Sequence, residues 1–327
     1  YKIFFKILFY WIFIIYKYSR FREFKNKLKL EKKIDLWPLL KHDLSHDFLG
    51  PQAILKLYYF FIFEEFFKKN EFKSKCFYLF ENQPYEKSLI FFWKKYNKNK
   101  IYGVIHSTVR FWDLRFTKYI NKIKNFDKVP YPDYLLSNGK ISQKNIIKLN
   151  HKKNSIISVE ALRYKKFLNK KNIKKSKLNN ILILGDYADL SNNKLINLIK
   201  KIKFKKNLSV YLKSHKLKKI YIKNPYLKIK SLNKNLNEFK KDFSFAIVTN
   251  TTSASVDLYL RGTKVIVLLD DNSLNLSPLK EIKNVNFISN HLELEKLISK
   301  KTKKIKIKNN FFHINENLNK WKKILIN

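Results

Sequence analysis

Several residue types are nearly absent from this sequence, and each absence excludes a class of protein. The chain of 327 residues contains a single cysteine, Cys76, and no methionine. A lone cysteine excludes a disulfide framework and any zinc site built on paired cysteines, and it suits a reducing compartment. Because the chain starts at Tyr1 and has no methionine, we expect that it lacks its original N-terminus.

Glycine is also scarce, with five residues in the whole chain. The sequence has no G-x-G-x-x-G and no G-x-x-x-x-G-K-[ST] motif, so neither a Rossmann dinucleotide fingerprint nor a P-loop is supported. With so few glycines, we expect each to occupy a position where a side chain would not fit. The five are Gly50, Gly103, Gly139, Gly185 and Gly262, and four of them lie within or beside polar motifs.

Acidic residues are few, with 25 Asp and Glu against 70 Lys and Arg, which gives a formal net charge of +45. Such an excess usually indicates nucleic acid or an anionic membrane as the partner. Here, however, lysine, asparagine, isoleucine and aromatic residues are all abundant while alanine, glycine and arginine are scarce. This is the composition of an AT-rich genome, and the lysines are spread along the chain. We therefore expect no nucleic-acid partner.

The stretch from Phe245 to Leu279 organises the rest of the sequence. Phe245–Thr249 and Lys264–Leu269 are short apolar runs typical of buried parallel strands. A short helix is predicted between them, and Gly262 supplies its C-terminal stop. The turn after the first strand is crowded with small polar residues, and a second polar turn follows the next strand. Because ligands bind at the carboxyl ends of strands in α/β sheets, these turns predict a phosphate or diphosphate cradle. An ordinary helix N-cap remains the alternative for the hydroxyl groups.

The beginning of the chain offers a helix and a histidine pair. Ile7–Tyr16 is an apolar run flanked by Lys and Arg, which is compatible with a buried helix, an interfacial helix or a membrane-spanning segment. Leu36–Gly50 reads as polar and irregular. His42 and His46 within it resemble a metal pair, but no third ligand lies nearby, so we expect no metal there.

Two further predicted strands, Cys76–Phe80 and Ile101–Ile105, each run into a polar loop. His106 directly follows the second strand. Histidine titrates near neutral pH, so His106 is the best candidate for acid–base work, although a structural histidine remains possible. The arginines of this loop suit a phosphate or carboxylate. Farther on, Glu160 and Arg163 are spaced to pair with each other.

A lysine- and asparagine-rich segment, Phe167–Asn179, predicts an interdomain linker. After it, Asn180–Leu184 opens a second α/β series in which polar turns again follow strands. We therefore predict an N-terminal α/β domain over residues 1–166 and a Rossmann-like phosphate-binding domain over residues 180–310. A C-terminal helix over residues 311–327 completes the chain.

Seven motifs in this order carry a resemblance to a known family. They are ENQPYE (Glu81–Glu86), HSTVRFWDLR (His106–Arg115), PDYLLSNG (Pro132–Gly139), VEALRY (Val159–Tyr164), LGDY (Leu184–Tyr187), TTSASVDLYLRGTKVIVLLD (Thr251–Asp270) and LNLSPL (Leu274–Leu279). Together they resemble a bacterial family of surface carbohydrate biosynthesis proteins. More distantly, the layout is similar to the glycerophosphotransferases of teichoic-acid synthesis and to bacterial polysialyltransferases.

The resemblance implies an α/β fold of the GT-B-like kind, with two Rossmann-like domains, facing parallel sheets and an interdomain cleft. It implies that His106 is the catalytic base and that a Lys213–His215 turn holds donor phosphates, although this turn lacks the prolines of the family pattern. Motifs and resemblance together nominate three groups of residues. The catalytic group is His106, Glu81 and Asp113. The donor group is Lys213, His215, Thr251, Thr252, Ser253, Ser255, Gly185, Asp186, Asn275 and Ser277. The acceptor or supporting group is Arg110, Arg115, Asn138, Glu160, Arg163 and Asp257.

The function implied is a glycosyltransferase that takes a nucleotide-activated sugar, with a glycan or lipid-linked glycan as acceptor and no metal or other cofactor. We expect a cytoplasmic protein at the inner face of the membrane, with peripheral contact through the helix of residues 1–22. A non-catalytic scaffold or glycan-binding subunit is the first alternative, and a basic nucleic-acid-binding protein is the second.

Overall fold

The structure is a computed structural model of the 327-residue chain. It describes residues 1–21, 29–30, 34–118, 129–167, 180–204, 208–226, 228–233, 236, 243–270, 273–299 and 311–326. The chain divides into two compact units. The first unit comprises Tyr1–Val104 and Tyr119–Leu136, and the second comprises Ile105–Lys118 and Ser137–Asn327. The domain bounds drawn from the sequence stay a prediction, and the predicted linker lies outside the described residues except for Phe167.

The first unit begins with three helices. They are α1 (Lys2–Phe21), α2 (Trp37–Leu49) and α3 (Pro51–Lys69), with a small antiparallel pair of strands, β1 (Lys29–Leu30) and β2 (Ile34–Asp35), between the first two. The prediction that Leu36–Gly50 is irregular is therefore wrong. Its polar residues form the solvent face of a helix, and Pro38 lies in the first turn, where no N–H partner is needed. Buried Trp37 anchors the start of α2.

A parallel sheet follows, in which β3, β4 and β5 are neighbours in that order. These strands are β3 (Cys76–Leu79), β4 (Ile101–Val104) and β5 (Tyr134–Ser137), with α4 (Pro84–Tyr96) after β3. The next elements, α5 (Lys140–Lys148) and β6 (Ile156–Ser158), belong to the second unit. β3 pairs with β4 and β4 with β5 in parallel, which brings Tyr78, Gly103 and Leu135 side by side. The two strands predicted from the sequence, Cys76–Phe80 and Ile101–Ile105, are confirmed, and each ends one residue earlier than predicted.

The second unit contains a six-stranded sheet whose neighbours all pair in parallel, in the order β12-β11-β10-β7-β8-β9. Its strands are β7 (Asn180–Leu184), β8 (Ser209–Lys213), β9 (Ile229–Ser231), β10 (Phe245–Thr249), β11 (Lys264–Leu268) and β12 (Asn286–Ile288). Counted within this sheet, the order reads 3-2-1-4-5-6, the doubly wound Rossmann arrangement. The strand order therefore reverses between β7 and β10.

Three helices pack beside this sheet: α6 (Asp189–Lys201), α7 (Ala254–Leu260) and α8 (His291–Ser299). The last helix is α9 (Asn319–Ile326). Alternate residues of β7 enter different apolar clusters, since Ile181 and Ile183 pack in one cluster and Leu182 and Leu184 in the other. Gly262 ends α7 with a φ of 81°, as predicted.

Candidate functional site

The turns that follow β7, β8 and β10 meet at the point where the strand order reverses. A cavity of about 400 Å³ opens there, which we call the switch-point cavity. Its lining includes Arg110, Arg163, Leu184, Gly185, Asp186, Tyr187, Lys213, Ser214, His215, Lys216, Leu236, Thr251, Thr252, Ser253 and Ala254. In doubly wound sheets this crevice is where ligands bind. The cavity thus collects most of the residues that the sequence nominates for the donor.

Asp186 ties the turn after β7 to the turn after β10. Its side chain is buried, and its Oδ2 accepts hydrogen bonds from the hydroxyls of Thr249 and Thr251. Its Oδ1 accepts from the backbone N–H of Tyr187 at 2.6 Å. Asn192 holds the backbone of Asp186, donating to its carbonyl at 2.9 Å and accepting from its N–H at 2.8 Å. The carboxylate is therefore occupied by the protein and shapes the cavity wall.

The hydroxyl groups after β10 do not cap α7. The N-cap residue, Ser253, makes no side-chain cap bond, so the N-cap interpretation is wrong for this turn. The Thr251 hydroxyl bonds to Asp186 instead, and the Ser255 hydroxyl donates to the carbonyl of Thr252 at 2.7 Å. Ser255 is buried, whereas Thr252 and Ser253 line the cavity.

Five side chains that carry or can carry positive charge line the same cavity: Arg110, Arg163, Lys213, His215 and Lys216. Arg110 reaches it from the loop after β4, and its Nη2 donates a hydrogen bond of 2.7 Å to the carbonyl of Thr251. The ring of exposed Tyr187 lies edge-on to that of His215, with the centroids 6.1 Å apart. The lining is therefore strongly cationic, and it also contains the hydroxyls of Thr252 and Ser253 and the ring of Tyr187.

The loop that carries His106 is fixed by amide side chains within the second unit. Asn138 Nδ2 donates to the carbonyl of Ser107 at 2.8 Å, and Asn145 Nδ2 donates to the carbonyl of Val109 at 3.0 Å. His106 itself is half-buried and is not among the described residues that line the cavity. The structure thus places Asn138 as a support of the loop.

Asp113 and Arg115 lie in the same loop and bind each other. The Nε and Nη2 of Arg115 each donate to one carboxylate oxygen of Asp113 at 2.8 Å, in a two-pronged ion pair. Farther along, Nε2 of buried His151 lies 2.7 Å from the carbonyl of Phe116. Burial lowers the pKa of this histidine, although the hydrogen bond to Phe116 acts in the opposite direction.

Next to Asn138, the chain passes very close to a later segment. The backbone N–H of His313 donates to the carbonyl of Asn138 at 2.9 Å. A Cβ atom built on Gly139 would lie 1.9 Å from the carbonyl oxygen of Phe311. Only glycine therefore fits at position 139, as the scarcity of glycine predicted.

Glu160 and Arg163 are not paired with each other. The Glu160 carboxylate accepts from the backbone N–H groups of Lys320 and Trp321, at 3.0 and 3.1 Å, and so caps α9. Arg163 instead lines the switch-point cavity and lies over the ring of Tyr164. Burial, with a smaller contribution from the charge of Asp257, raises the pKa of Tyr164 to about 12.

Three of the remaining nominated residues, Asn275, Ser277 and Glu81, take part in local hydrogen bonds. Asn275 accepts from the N–H of Ser277 at 3.1 Å, and the Ser277 hydroxyl accepts from the N–H of Leu279 at 3.2 Å. In the first unit, the N–H of Glu81 donates to buried Glu86, which holds the turn that starts α4. None of Asn275, Ser277 and Asp257 is among the described residues that line the cavity.

Sequence reasoning missed part of the lining. Tyr187, Ser214 and Lys216 were not nominated, although each sits in a turn that was. These residues could have been predicted because each lies next to a nominated residue in the sequence. A turn at the carboxyl end of a strand presents several consecutive residues to the crevice.

No protein-family model matches this chain, and no curated protein matches it. Solved structures do match. The UDP-GlcNAc 2-epimerase from Methanocaldococcus jannaschii has a TM-score of 0.54 at 13% identity, over 85% of this chain and 83% of that chain. A structure of the Methanocaldococcus jannaschii enzyme in complex with UDP-GlcNAc and UDP gives 0.52 at 14%, over 85% and 82%. The UDP-N-acetylglucosamine 2-epimerase from Rickettsia bellii gives 0.50 at 14%, over 85% and 80%.

At these identities the similarity establishes the fold, and the predicted GT-B-like α/β class is confirmed. Among the described residues, no helix has the length and apolar character that crossing a bilayer requires. His42 and His46 lie on α2, and nowhere in the described parts of the chain do three side chains of His, Cys, Asp or Glu gather as metal ligands would.

Proposed function

We propose that this chain is an enzyme that binds a nucleoside-diphosphate sugar in the switch-point cavity and acts in the synthesis of a bacterial surface polysaccharide. The observation that carries the proposal is the position of the cavity. It lies where a doubly wound sheet binds ligands, and it is lined by Arg110, Arg163, Lys213, His215 and Lys216. A diphosphate matches that charge. The resemblance of the seven sequence motifs to surface carbohydrate biosynthesis proteins is the reason for placing the enzyme in that pathway.

Arginine and lysine suit different parts of such a ligand. The guanidinium groups of Arg110 and Arg163 offer planar pairs of donors that match two phosphate oxygens at once. The ammonium groups of Lys213 and Lys216 act as point charges beside them. The hydroxyls of Thr252 and Ser253 add donors at the same wall. A ring such as that of Tyr187 suits the face of a base.

For the reaction, we favour transfer of the sugar to a glycan or lipid-linked glycan. An acceptor hydroxyl attacks the anomeric carbon, the bond from that carbon to the diphosphate oxygen breaks, and His106 takes the proton of the hydroxyl. Charge builds up on the departing diphosphate, where the cations of the cavity stabilise it. In this proposal neither a metal nor a further cofactor takes part.

A second candidate is epimerisation of the bound sugar nucleotide. One specific observation favours it: the solved structures that match this chain with TM-scores of 0.50 to 0.54 include UDP-GlcNAc 2-epimerases. Epimerisation needs no acceptor, so the two reactions differ in what they consume.

Titration calorimetry with UDP-GlcNAc, UDP and the CMP-, CDP- and GDP-linked analogues tests the binding step. Lys213→Gln and His215→Gln should each weaken binding of the ligand that the wild type prefers by roughly tenfold, the value of one charge-assisted hydrogen bond. Lys219→Gln is the matched control, because Lys219 is exposed and lies outside the cavity lining. Failure of every sugar nucleotide to bind would overturn the proposal.

Product analysis then separates the reactions. Nucleotide release that requires an added glycan acceptor supports the transferase, whereas a new sugar isomer formed without acceptor supports the epimerase. Tight binding with no turnover of any ligand would leave the chain as a glycan-pathway scaffold and would refute the enzyme.

A further inference from the structure

Helix α1 of the first unit has two different faces. Its inner face packs on the other helices: Lys6 Nζ lies 3.2 Å from Glu64 Oε2, and the ring of Tyr10 lies 5.2 Å from that of Phe61. At the other end of the helix, the ring of Tyr18 stacks on that of Phe48, with the centroids 5.6 Å apart. These contacts fix the rotation of the helix about its axis.

The opposite face is exposed and apolar. We call it the aromatic face, and it consists of Phe5, Phe9, Ile12, Phe13 and Tyr16. Their spacing of three and four residues places them in one stripe along the helix. The five side chains are 46 to 67% exposed, although such residues are usually buried. A contiguous exposed apolar stripe of this kind is typical of a surface that binds another protein or a membrane.

The charges around the aromatic face identify the partner. Helix α1 carries Lys2, Lys6, Lys17 and Arg20 and contains no acidic residue. Lys6 is paired with Glu64, whereas no acidic side chain in the described parts of the chain pairs with Lys2, Lys17 or Arg20. A second copy of the same helix would bring like charges together. A layer of anionic lipid headgroups has the opposite sign and accepts apolar rings beneath it.

We propose that the aromatic face of α1 inserts into the surface of a bilayer that contains anionic lipids. Phe5, Phe9, Ile12 and Phe13 enter the boundary between headgroups and acyl chains, and the hydroxyl of Tyr16 stays at headgroup level. Lys2, Lys17 and Arg20 contact the lipid phosphates. The helix lies in the plane of the surface. This binding is independent of the sugar nucleotide, so it stands or fails apart from the proposed function.

Co-sedimentation of the full chain with lipid vesicles tests the proposal. The chain should bind vesicles of phosphatidylcholine mixed with phosphatidylglycerol, and it should bind phosphatidylcholine alone far more weakly. The combined variant Phe5→Gln, Phe9→Gln and Phe13→Gln should lose more than about tenfold in affinity for the mixed vesicles, because it removes three rings that would bury apolar surface in the bilayer. The combined variant Lys2→Gln, Lys17→Gln and Arg20→Gln should lose on the order of a hundredfold, about fivefold per charge.

The matched control replaces exposed apolar residues of the second unit: Leu190→Gln, Tyr221→Gln and Leu292→Gln. It should bind the mixed vesicles as the wild type does. Phe9→Trp keeps the apolar face, so it reports insertion even where the glutamine variants fold poorly. Its fluorescence should be quenched by brominated lipid more strongly than that of the wild type.

Absence of wild-type binding to the mixed vesicles would overturn the proposal, as would an unchanged affinity in the triple phenylalanine variant. Dimerisation in solution that the same variant abolishes, without any vesicle binding, would assign the face to contact between copies and would also overturn it.

Discussion

The guanidinium of Arg110 donates a hydrogen bond of 2.7 Å to the carbonyl oxygen of Thr251, so the loop that follows β4 is joined to the turn that follows β10. Both residues belong to the second unit and both line the switch-point cavity. The loop that carries His106 and the hydroxyl-rich turn are therefore linked through one side chain.

Because of this hydrogen bond, we expect substitution of the two arginines of the cavity to have different effects. Arg110→Gln should lower the free energy of unfolding by about 1.5–3 kcal/mol, the value of a hydrogen bond to a charged group, and should also weaken sugar-nucleotide binding. Arg163→Gln is the matched control, because Arg163 lines the same cavity but is exposed. It should weaken binding with little loss of stability. Urea denaturation and calorimetry measure the two effects, and equal stability of both variants would contradict the bridging role of Arg110.

The buried carboxylate of Asp186 predicts a large loss of stability on its removal. Asp186→Ala leaves the hydroxyls of Thr249 and Thr251 and the N–H of Tyr187 without their acceptor. The buried Thr249 hydroxyl costs about 1–3 kcal/mol when it has no acceptor, and the lost bonds of the less buried Thr251 hydroxyl and Tyr187 N–H add smaller amounts, so we expect a total of roughly 3 kcal/mol in urea denaturation. Asp189→Ala is the control, since its surface pair with Lys218 is worth less than about 1 kcal/mol. Similar losses in both variants would show that Asp186 does not hold the turns together.

His151 predicts how stability depends on pH. Burial lowers the pKa of this histidine below its ordinary value of 6.5, so the folded state resists a proton that the unfolded state accepts. Stability is therefore fully present above pH 6.5 and falls as the pH drops toward the folded pKa. His151→Gln should reduce this slope in denaturation curves recorded from about pH 7 to 5. Replacement of exposed His42 by Gln controls for the loss of an imidazole, and an unchanged slope in His151→Gln would count against this role.

The proposed base predicts a split between chemistry and binding. His106→Gln should reduce turnover by about 100- to 10,000-fold, the range of general acid–base catalysis, while the dissociation constant of the sugar nucleotide changes little. This expectation follows from the position of His106 outside the cavity lining. A turnover number equal to that of the wild type, in rapid-quench assays, would remove His106 from the reaction.

The strands were predictable because a parallel sheet buries both of its faces. Asn180–Leu184 and Phe245–Thr249 are continuous apolar runs, and the structure places strands over the same residues. The carboxyl-end turns followed from those strands, and with them most of the cavity lining. Helix α2 was missed because its polar residues face solvent. Its apolar residues do not repeat with a clear helical period, so the sequence pattern does not indicate a helix.

Side-chain partners were not predictable, because they join residues far apart in sequence. The bonds from Thr249 and Thr251 to Asp186 depend on the packing of β10 against β7. The use of Glu160 as the cap of α9 depends on how the chain returns more than a hundred residues later. A nominated polar residue therefore serves the ligand or the fold according to tertiary contacts alone.

Gly139 gives the clearest limit on how this sequence can vary. Since the carbonyl of Phe311 occupies the volume that any β-carbon would need, two strands of backbone are in direct contact there. A saturation library at this codon, selected for folded protein, should return glycine and nothing else. Because glycine is already scarce in this sequence, we expect position 139 to be among the last at which it could be replaced.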